Sequence, residues 1–157
     1  MGPEGWGRVP LLYVLLPEAF MEVHRSRAVR TTRLPDDWAT GTGWLDRIVE
    51  APAPARVHAV RLTFEPGART AWHKHPLGQT LHVLLGVGRV QSRGGPLRAI
   101  VPGDTVWIAP NEEHWHGAAP ETAMVHLAIY EADEDGSTTI WLEHVSDAEY
   151  RAPPRDR

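Results

Sequence analysis

The chain has 157 residues, a length that suits one domain with a sizeable hydrophobic core. Its 16 basic and 20 acidic residues give a formal net charge of -4, and the basic residues are scattered, so we expect no nucleic-acid partner. The absence of cysteine excludes disulfides, iron–sulfur clusters and a thiol nucleophile, and it favours a cytoplasmic location. Nine histidines are therefore the main resource for reactive chemistry.

The N-terminal region contains one strongly apolar run, residues 9–17. This run is shorter than the roughly 20 residues that a membrane-spanning helix needs, and no small-x-small cleavage site follows it. We therefore expect neither membrane insertion nor secretion. The predicted organisation is a poorly ordered extension at 1–20, one domain at 21–151 and a short tail at 152–157.

From about Trp44 to Val145, short apolar runs are interrupted every eight to twelve residues by Gly, Pro, Asn or Asp. This rhythm predicts an all-β sandwich or barrel. Ser146-Asp-Ala-Glu149 has the spacing of a capping box and predicts one short C-terminal helix. The predicted strands are Gly43–Val49, Ala55–Glu65, Gln79–Leu85, Gly88–Ser92, Leu97–Val101, Thr105–Ala109, Glu113–Ala118, Met124–Glu131 and Thr138–His144.

Three histidines and a glutamine have a spacing that suits one metal ion. His73 and His75 are two residues apart, so on a strand their side chains point to the same face. Gln79 follows a Pro-Leu-Gly turn that can return it to the pair, and His114 would arrive from a neighbouring strand. Imidazole-rich clusters of this kind bind first-row divalent metals and leave positions open for water or substrate.

The spacing around these residues resembles the first cupin motif, Gly-x5-His-x-His-x3-Glu-x6-Gly. Gly67, His73, His75, Gln79 and Gly86 occupy the positions of the motif at every spacing. The glutamic acid of the motif is replaced by Gln79.

A second segment, from Pro102-Gly-Asp104 to His114, resembles the second cupin motif. It departs from the pattern at Ala109, where proline is usual, and at Asn111, where glycine is usual. The two motifs together imply a single-domain, metal-binding cupin, which is a jelly-roll β-barrel.

Within the cupins, the segments Phe64–Leu81, Gly103–Trp107 and His114–Pro120 look like bacterial manganese-dependent hydroxynitrile lyases. The resemblance implies one divalent ion, manganese first, although iron, nickel or zinc also suit imidazole and amide ligands. The ligands that it implies are His73, His75, Gln79 and His114.

Proton transfer requires a base that is close to the ion but does not bind it, and histidine is the usual candidate. His126 lies in an apolar strand and matches a pocket histidine that transfers protons in the lyase-like group. His116 shares a face with His114 if that segment is extended, and Thr70 can donate a hydrogen bond to a bound hydroxyl group. We therefore predict His126, His116 and Thr70 as catalytic residues.

Gln79 offers a neutral amide oxygen, so three histidines and a glutamine leave the charge of a divalent ion uncompensated. Such a centre stabilises developing anions, which favours a lyase of the hydroxynitrile lyase type acting on a small-molecule substrate. Two alternatives remain open. One is a metal-dependent oxygenase or isomerase acting on a small aromatic or polyketide-like compound, and the other is a non-catalytic small-molecule-binding cupin. We also expect a homodimer that pairs through an outer sheet face carrying His82.

Overall fold

A computed structural model describes residue 21 and residues 23–155. The predicted N-terminal extension, 1–20, lies outside the described residues. The described part contains a 3-10 helix at Ser26–Ala28 and the helix α1 at Asp147–Arg151. Nowhere in that part is there a helix with the length and apolar character needed to cross a lipid bilayer.

The strands are β1 Thr31–Arg33, β2 Ala39–Thr40, β3 Gly43–Glu50, β4 Val57–Phe64, β5 Arg69–Thr70, β6 His73–Lys74, β7 Gln79–Gly86, β8 Gly88–Ser92, β9 Arg98–Ile100, β10 Thr105–Ile108, β11 His114–Ala118, β12 Met124–Glu131 and β13 Ile140–Trp141.

These strands form two antiparallel sheets. One sheet has six strands in the order β1-β3-β4-β12-β7-β10. The other has seven strands, with β13-β6-β11-β5-β2 as its main path and with β8 joining β11 to β9. The prediction of an all-β fold with a short C-terminal helix is confirmed.

The longer strands agree best with the sequence pattern. Gly88–Ser92 and Met124–Glu131 match the predicted strands at both ends. The predicted strand at 138–144 is reduced to β13, although Leu142 and Glu143 still form backbone hydrogen bonds with Trp72. The short strands β1, β2, β5 and β6 are not predicted, since two or three residues are too few to show an alternation of apolar and polar residues.

The main hydrophobic core lies between the two sheets. Along β7, burial alternates strictly at first, with Leu81 and Val83 at 0% and 1% exposure and His82 facing outward. This alternation is the one expected for a sheet with one buried face. Inward-facing residues of β7 and β12 therefore share the interior with the side chains of the second sheet.

The C-terminal helix closes a smaller apolar cluster. The prediction of a capping box is confirmed, because the Ser146 hydroxyl accepts a bond from the Glu149 N–H at 3.2 Å while the Glu149 carboxylate accepts from the Ser146 N–H at 2.9 Å. Tyr150, at 3% exposure, donates its hydroxyl to the Ala118 carbonyl at 2.7 Å. The Arg69 guanidinium lies 4.5 Å above the Tyr150 ring. These contacts fix the helix against the seven-stranded sheet.

Asp46 ties the first strands of the six-stranded sheet together. Its carboxylate accepts hydrogen bonds from the Thr31 hydroxyl at 2.5 Å and from two nitrogens of Arg61 at 2.9 and 2.6 Å. The Thr31 hydrogen bond, and then Arg61, lower the pKa of Asp46 below its usual 3.8. The folded state therefore favours the ionised carboxylate.

Candidate metal centre

The four predicted ligands meet between the two sheets. His73 on β6 and His114 on β11 are direct cross-strand partners. His75 follows β6 by one residue, and Gln79 begins β7 in the opposite sheet. All four side chains are buried, with at most 3% exposure. The short, irregular strand β6 therefore delivers two histidines, and each sheet contributes to the group.

Two turns hold His75 in place. Its carbonyl accepts hydrogen bonds from the Gly78 N–H at 3.2 Å and from the Asn111 N–H at 2.8 Å. Asn111 has a φ of 61°, a left-handed conformation that asparagine tolerates better than most residues. Asn111 thus adopts the turn conformation at the position where glycine is usual in the second motif. Its hydrogen bond to His75 also joins the segments of the two motifs.

The three predicted histidine ligands share one hydrogen-bond arrangement. The Nδ1 atom of His73 lies 2.9 Å from the Ala71 carbonyl oxygen. The Nδ1 atom of His75 lies 2.7 Å from the carbonyl oxygen of Thr138, and that of His114 lies 2.9 Å from the carbonyl oxygen of Glu112. A carbonyl accepts only from N–H, so each Nδ1 carries the proton and each Nε2 presents a lone pair. Metal-binding histidines are typically oriented in this way.

The contact between His114 and Gln79 fits a shared cation. The Nε2 atom of His114 lies 3.1 Å from the Oε1 atom of Gln79. With the His114 proton on Nδ1, both facing atoms are hydrogen-bond acceptors and repel one another. Two donors that are each about 2.1 Å from one ion lie about 3 to 3.4 Å apart, so a cation between them relieves the repulsion at this separation. The residues present therefore fit a divalent metal ion.

Burial also keeps these rings neutral. Desolvation lowers the pKa of His75 to about 4. It lowers the pKa of His114, and it lowers the pKa of His73 well below 6.5, where the neighbouring histidines act in the same direction. Neutral imidazoles have a lone pair to offer a metal at neutral pH, whereas imidazolium ions do not.

His116 lies beside the same group. His73, His114 and His116 each have one ring nitrogen in this group, and these three nitrogens lie within 4.8 Å of one another. His116 differs from the predicted ligands because neither ring nitrogen has a hydrogen-bond partner among the described residues. Its ring centroid is 5.2 Å from that of His73. The protein thus contains a buried three-histidine group that could hold one metal ion.

Comparison with known proteins shows the family of this chain. The cupin domain family model matches residues 60–130. A protein of Granulicella tundricola named (R)-mandelonitrile lyase is 54% identical over 131 residues, which make up 83% of this chain and 99% of the relative. The chain belongs to the cupin family.

Solved structures share the fold of this cupin. A cupin-like protein from Thermotoga maritima has a TM-score of 0.73 and 38% sequence identity, with 80% of this cupin and 95% of that chain covered. The polyketide cyclase RemF from Streptomyces resistomycificus has a TM-score of 0.66, with 83% and 91% covered. At 16% identity, that second likeness shows the fold alone. The predicted cupin fold is confirmed.

His126 of this cupin lies behind His116. It is fully buried on β12, with ring centroids 4.8 Å from His116 and 5.9 Å from Phe64. A register shift between β12 and β7 falls next to it, between Val125 and His126. Burial lowers the pKa of His126 to about 3, and neither ring nitrogen has a hydrogen-bond partner among the described residues.

Thr70 lies close to these histidines at the end of β5. Its hydroxyl oxygen accepts a hydrogen bond from the His116 backbone N–H at 3.2 Å, which leaves the hydroxyl proton free to be donated elsewhere. Thr70 is 2% exposed. The role of Thr70 as a hydrogen-bond donor to a bound hydroxyl group stays a prediction.

A cavity of about 320 Å³ opens onto the cluster. Its size is within the range of small-molecule sites. Among the predicted site residues it is lined by His73, His75, Gln79, His116 and Thr70, while His114 and His126 are not among the lining residues. The other lining residues are Leu34, Trp38, Leu45, Arg47, Val60, Leu62, Ala128, Tyr130, Thr138, Thr139 and Trp141.

Several of these lining residues had not been predicted from the sequence. Tyr130 is the clearest, since it follows His126 by four residues on one strand and therefore shares its face; its ring stacks on His75 at 4.9 Å. Trp38 and Trp141 stack on each other at 5.1 Å. They come from segments far apart in sequence, and no local pattern connects them.

Proposed function

We propose that this cupin is a metal-dependent lyase that cleaves 2-hydroxynitriles such as mandelonitrile into an aldehyde and hydrogen cyanide. The observation that carries the proposal is the neutral donor set, three histidines and one glutamine, at a cavity whose described lining contains no carboxylate. The relative named (R)-mandelonitrile lyase supports the same reaction.

We assign His73, His75, Gln79 and His114 as ligands of one divalent ion, and manganese as that ion. The shared Nδ1 hydrogen bonds favour His75 over His116 as the third histidine. When bound, a divalent ion supplies Lewis acidity that lowers the pKa of a substrate hydroxyl group and stabilises negative charge on its oxygen. Because the ligands are neutral, the protein leaves that positive charge available to the substrate.

The remaining histidines provide a route for the proton. In the cleavage, the hydroxyl proton leaves its oxygen, the bond between carbon and nitrile breaks, and its electron pair departs on the cyanide carbon, which takes up a proton. His116 lines the cavity, which supports its assignment as the group that accepts the hydroxyl proton. Thr70 would orient the hydroxyl group by donating a hydrogen bond.

Burial lowers the pKa of His116 well below 6.5, and neighbouring histidines add to this effect, so the ring is neutral at pH 7. A proton taken up by such a buried ring is held weakly and would pass readily to the departing cyanide. His126, buried behind His116, would help to set the basicity and orientation of that ring.

The direct test is cleavage of mandelonitrile by protein that is fully loaded with manganese, followed through the benzaldehyde released. We expect turnover that is lost in His116→Ala and reduced in His126→Ala, with His144→Ala as the matched control, since His144 is exposed and does not line the cavity. Fully occupied protein that releases no aldehyde from mandelonitrile or other 2-hydroxynitriles would refute the proposal. Oxygen uptake would instead identify an oxygenase.

We further propose that the protein is a cytoplasmic homodimer. On the outer face of the six-stranded sheet, Trp107 is 64% exposed and Leu84 43% exposed, and both lie near His82. This apolar face suits contact with a second copy. Light scattering should give twice the monomer mass, and Trp107→Asp should shift it toward the monomer; a monomeric wild type would refute the pairing.

A further inference from the structure

The cavity contains one charged side chain among its described lining residues, and it lies away from the metal centre. Arg47 is on β3, whereas Gln79 is on β7, and the strand order β3-β4-β12-β7 separates them by three strand spacings. At about 4.8 Å per spacing, the two backbones are about 14 Å apart. Because both side chains extend from these backbones into the cavity, a ligand body of about one aromatic ring suffices to link the centre to Arg47.

The wall between these two ends suits an aromatic ring. Leu45, Val60 and Ala128 line the cavity on β3, β4 and β12, and Trp38 and Trp141 line it from other segments. The row of cross-strand partners from Arg47 through Val60 to Ala128 places the guanidinium at one edge of this apolar wall. A ligand with a flat apolar ring would match the apolar wall. An anionic group at the end of the ring remote from the metal centre would then meet Arg47.

Arg47 forms a salt bridge with Glu50, in which the Nη1 and Oε1 atoms are 2.5 Å apart. The two side chains are 62% and 52% exposed. An ion pair that is so open to water contributes little stability, so a carboxylate arriving from the cavity can compete for the guanidinium. Glu50 also opposes the approach of such an anion, because like charges repel.

We propose that Arg47 selects aryl substrates with a carboxylate, or a similar anionic substituent, at the end of the ring remote from the reacting carbon. The inference rests on the proposed function for the identity of the reacting group. Glu50 limits the selectivity by holding Arg47 and by repelling the substrate anion.

The test compares 4-carboxybenzaldehyde with benzaldehyde as ligands of the metal-loaded protein, by calorimetric titration. We expect the carboxylated aldehyde to bind about fivefold more tightly, in keeping with an exposed ion pair. Arg47→Gln should abolish the preference, and Glu50→Gln should increase it. The increase is informative because a damaged fold does not produce tighter binding. Arg33→Gln is the matched control, since Arg33 forms a similar exposed pair with Asp36 outside the cavity.

Two results would overturn the inference: no preference in the wild type, or a preference that survives in Arg47→Gln. The second result would place the carboxylate on the metal instead of on Arg47. Cleavage of mandelonitrile and 4-carboxymandelonitrile separates this inference from the proposed function. Cleavage of both without a preference refutes the role of Arg47 alone, whereas Arg47-dependent binding without cleavage refutes the lyase alone.

Discussion

Gln79→Glu is the substitution that tests the charge of the centre most directly. The side chain is 3% exposed, and its oxygen lies 3.1 Å from the Nε2 atom of His114. Glutamate keeps an oxygen at the same place and adds one negative charge. We therefore expect the variant to retain metal but to bind small anions, such as azide or cyanide, more weakly.

The size of the effect follows from the short distances at the centre. An anion bound to the same ion would lie at a separation from residue 79 similar to the 3.1 Å between Gln79 and His114. Two unit charges 4 Å apart interact by about 4 kcal/mol at an effective dielectric constant near 20. Because the carboxylate charge is shared with the ion, we expect about half of that energy. This corresponds to about 30-fold weaker anion binding.

The measurement is an azide titration by calorimetry, on protein whose metal content has been verified by elemental analysis. Gln91→Glu is the matched control, since it adds the same charge on β8, away from the residues that line the cavity. We expect the control to bind azide as the wild type does. Unchanged azide affinity in Gln79→Glu at full metal occupancy would refute a charge-sensitive centre formed by neutral ligands.

Three further predictions follow from the described contacts. His114→Ala should lose bound metal, measured by elemental analysis, and should lose the metal-dependent rise in melting temperature, while His144→Ala, at an exposed position outside the cavity, keeps both. Asp46→Asn should lower the free energy of unfolding by about 1 to 2 kcal/mol at pH 7, measured in urea, because the charge-assisted hydrogen bonds weaken. The hydrogen bond from Thr31, and then Arg61, lower the pKa of Asp46 in the folded state. The difference in unfolding free energy between wild type and variant is therefore fully present above about pH 4 and should shrink as the pH falls through the folded pKa. A difference that does not change with pH would contradict this role of the Asp46 carboxylate. Tyr150→Phe should cost about 1 to 3 kcal/mol, because a buried carbonyl loses its donor, and a change under 0.5 kcal/mol would contradict that role.

The two cupin motifs made the metal cluster predictable. Their spacing is local, since His73 and His75 lie two residues apart and a single turn leads to Gln79. The apolar neighbours of His126 in Met124–Glu131 likewise indicate a buried position, and the residue is fully buried there. Patterns with a period of two residues survive folding because a strand alternates its faces whatever its neighbours are.

The distinction between lining and supporting residues was not predictable in the same way. The sequence favours His126 over His116 as the base, but His116 lines the cavity and His126 does not. Which of two inward-facing histidines reaches a cavity depends on how the neighbouring strands pack, and a local pattern of residues does not encode that packing.

By itself, then, the sequence determined the fold class and the chemical character of the centre, because these depend on strand alternation, turn residues and the neutral amide of Gln79. The tertiary structure decided the shape of the cavity and which residues line the end of it that is remote from the metal centre. Trp141 is far along the chain from Trp38 and Arg47, and all three line one cavity because the two sheets pack over one another. Contacts of this kind arise from packing between elements, which no local spacing encodes.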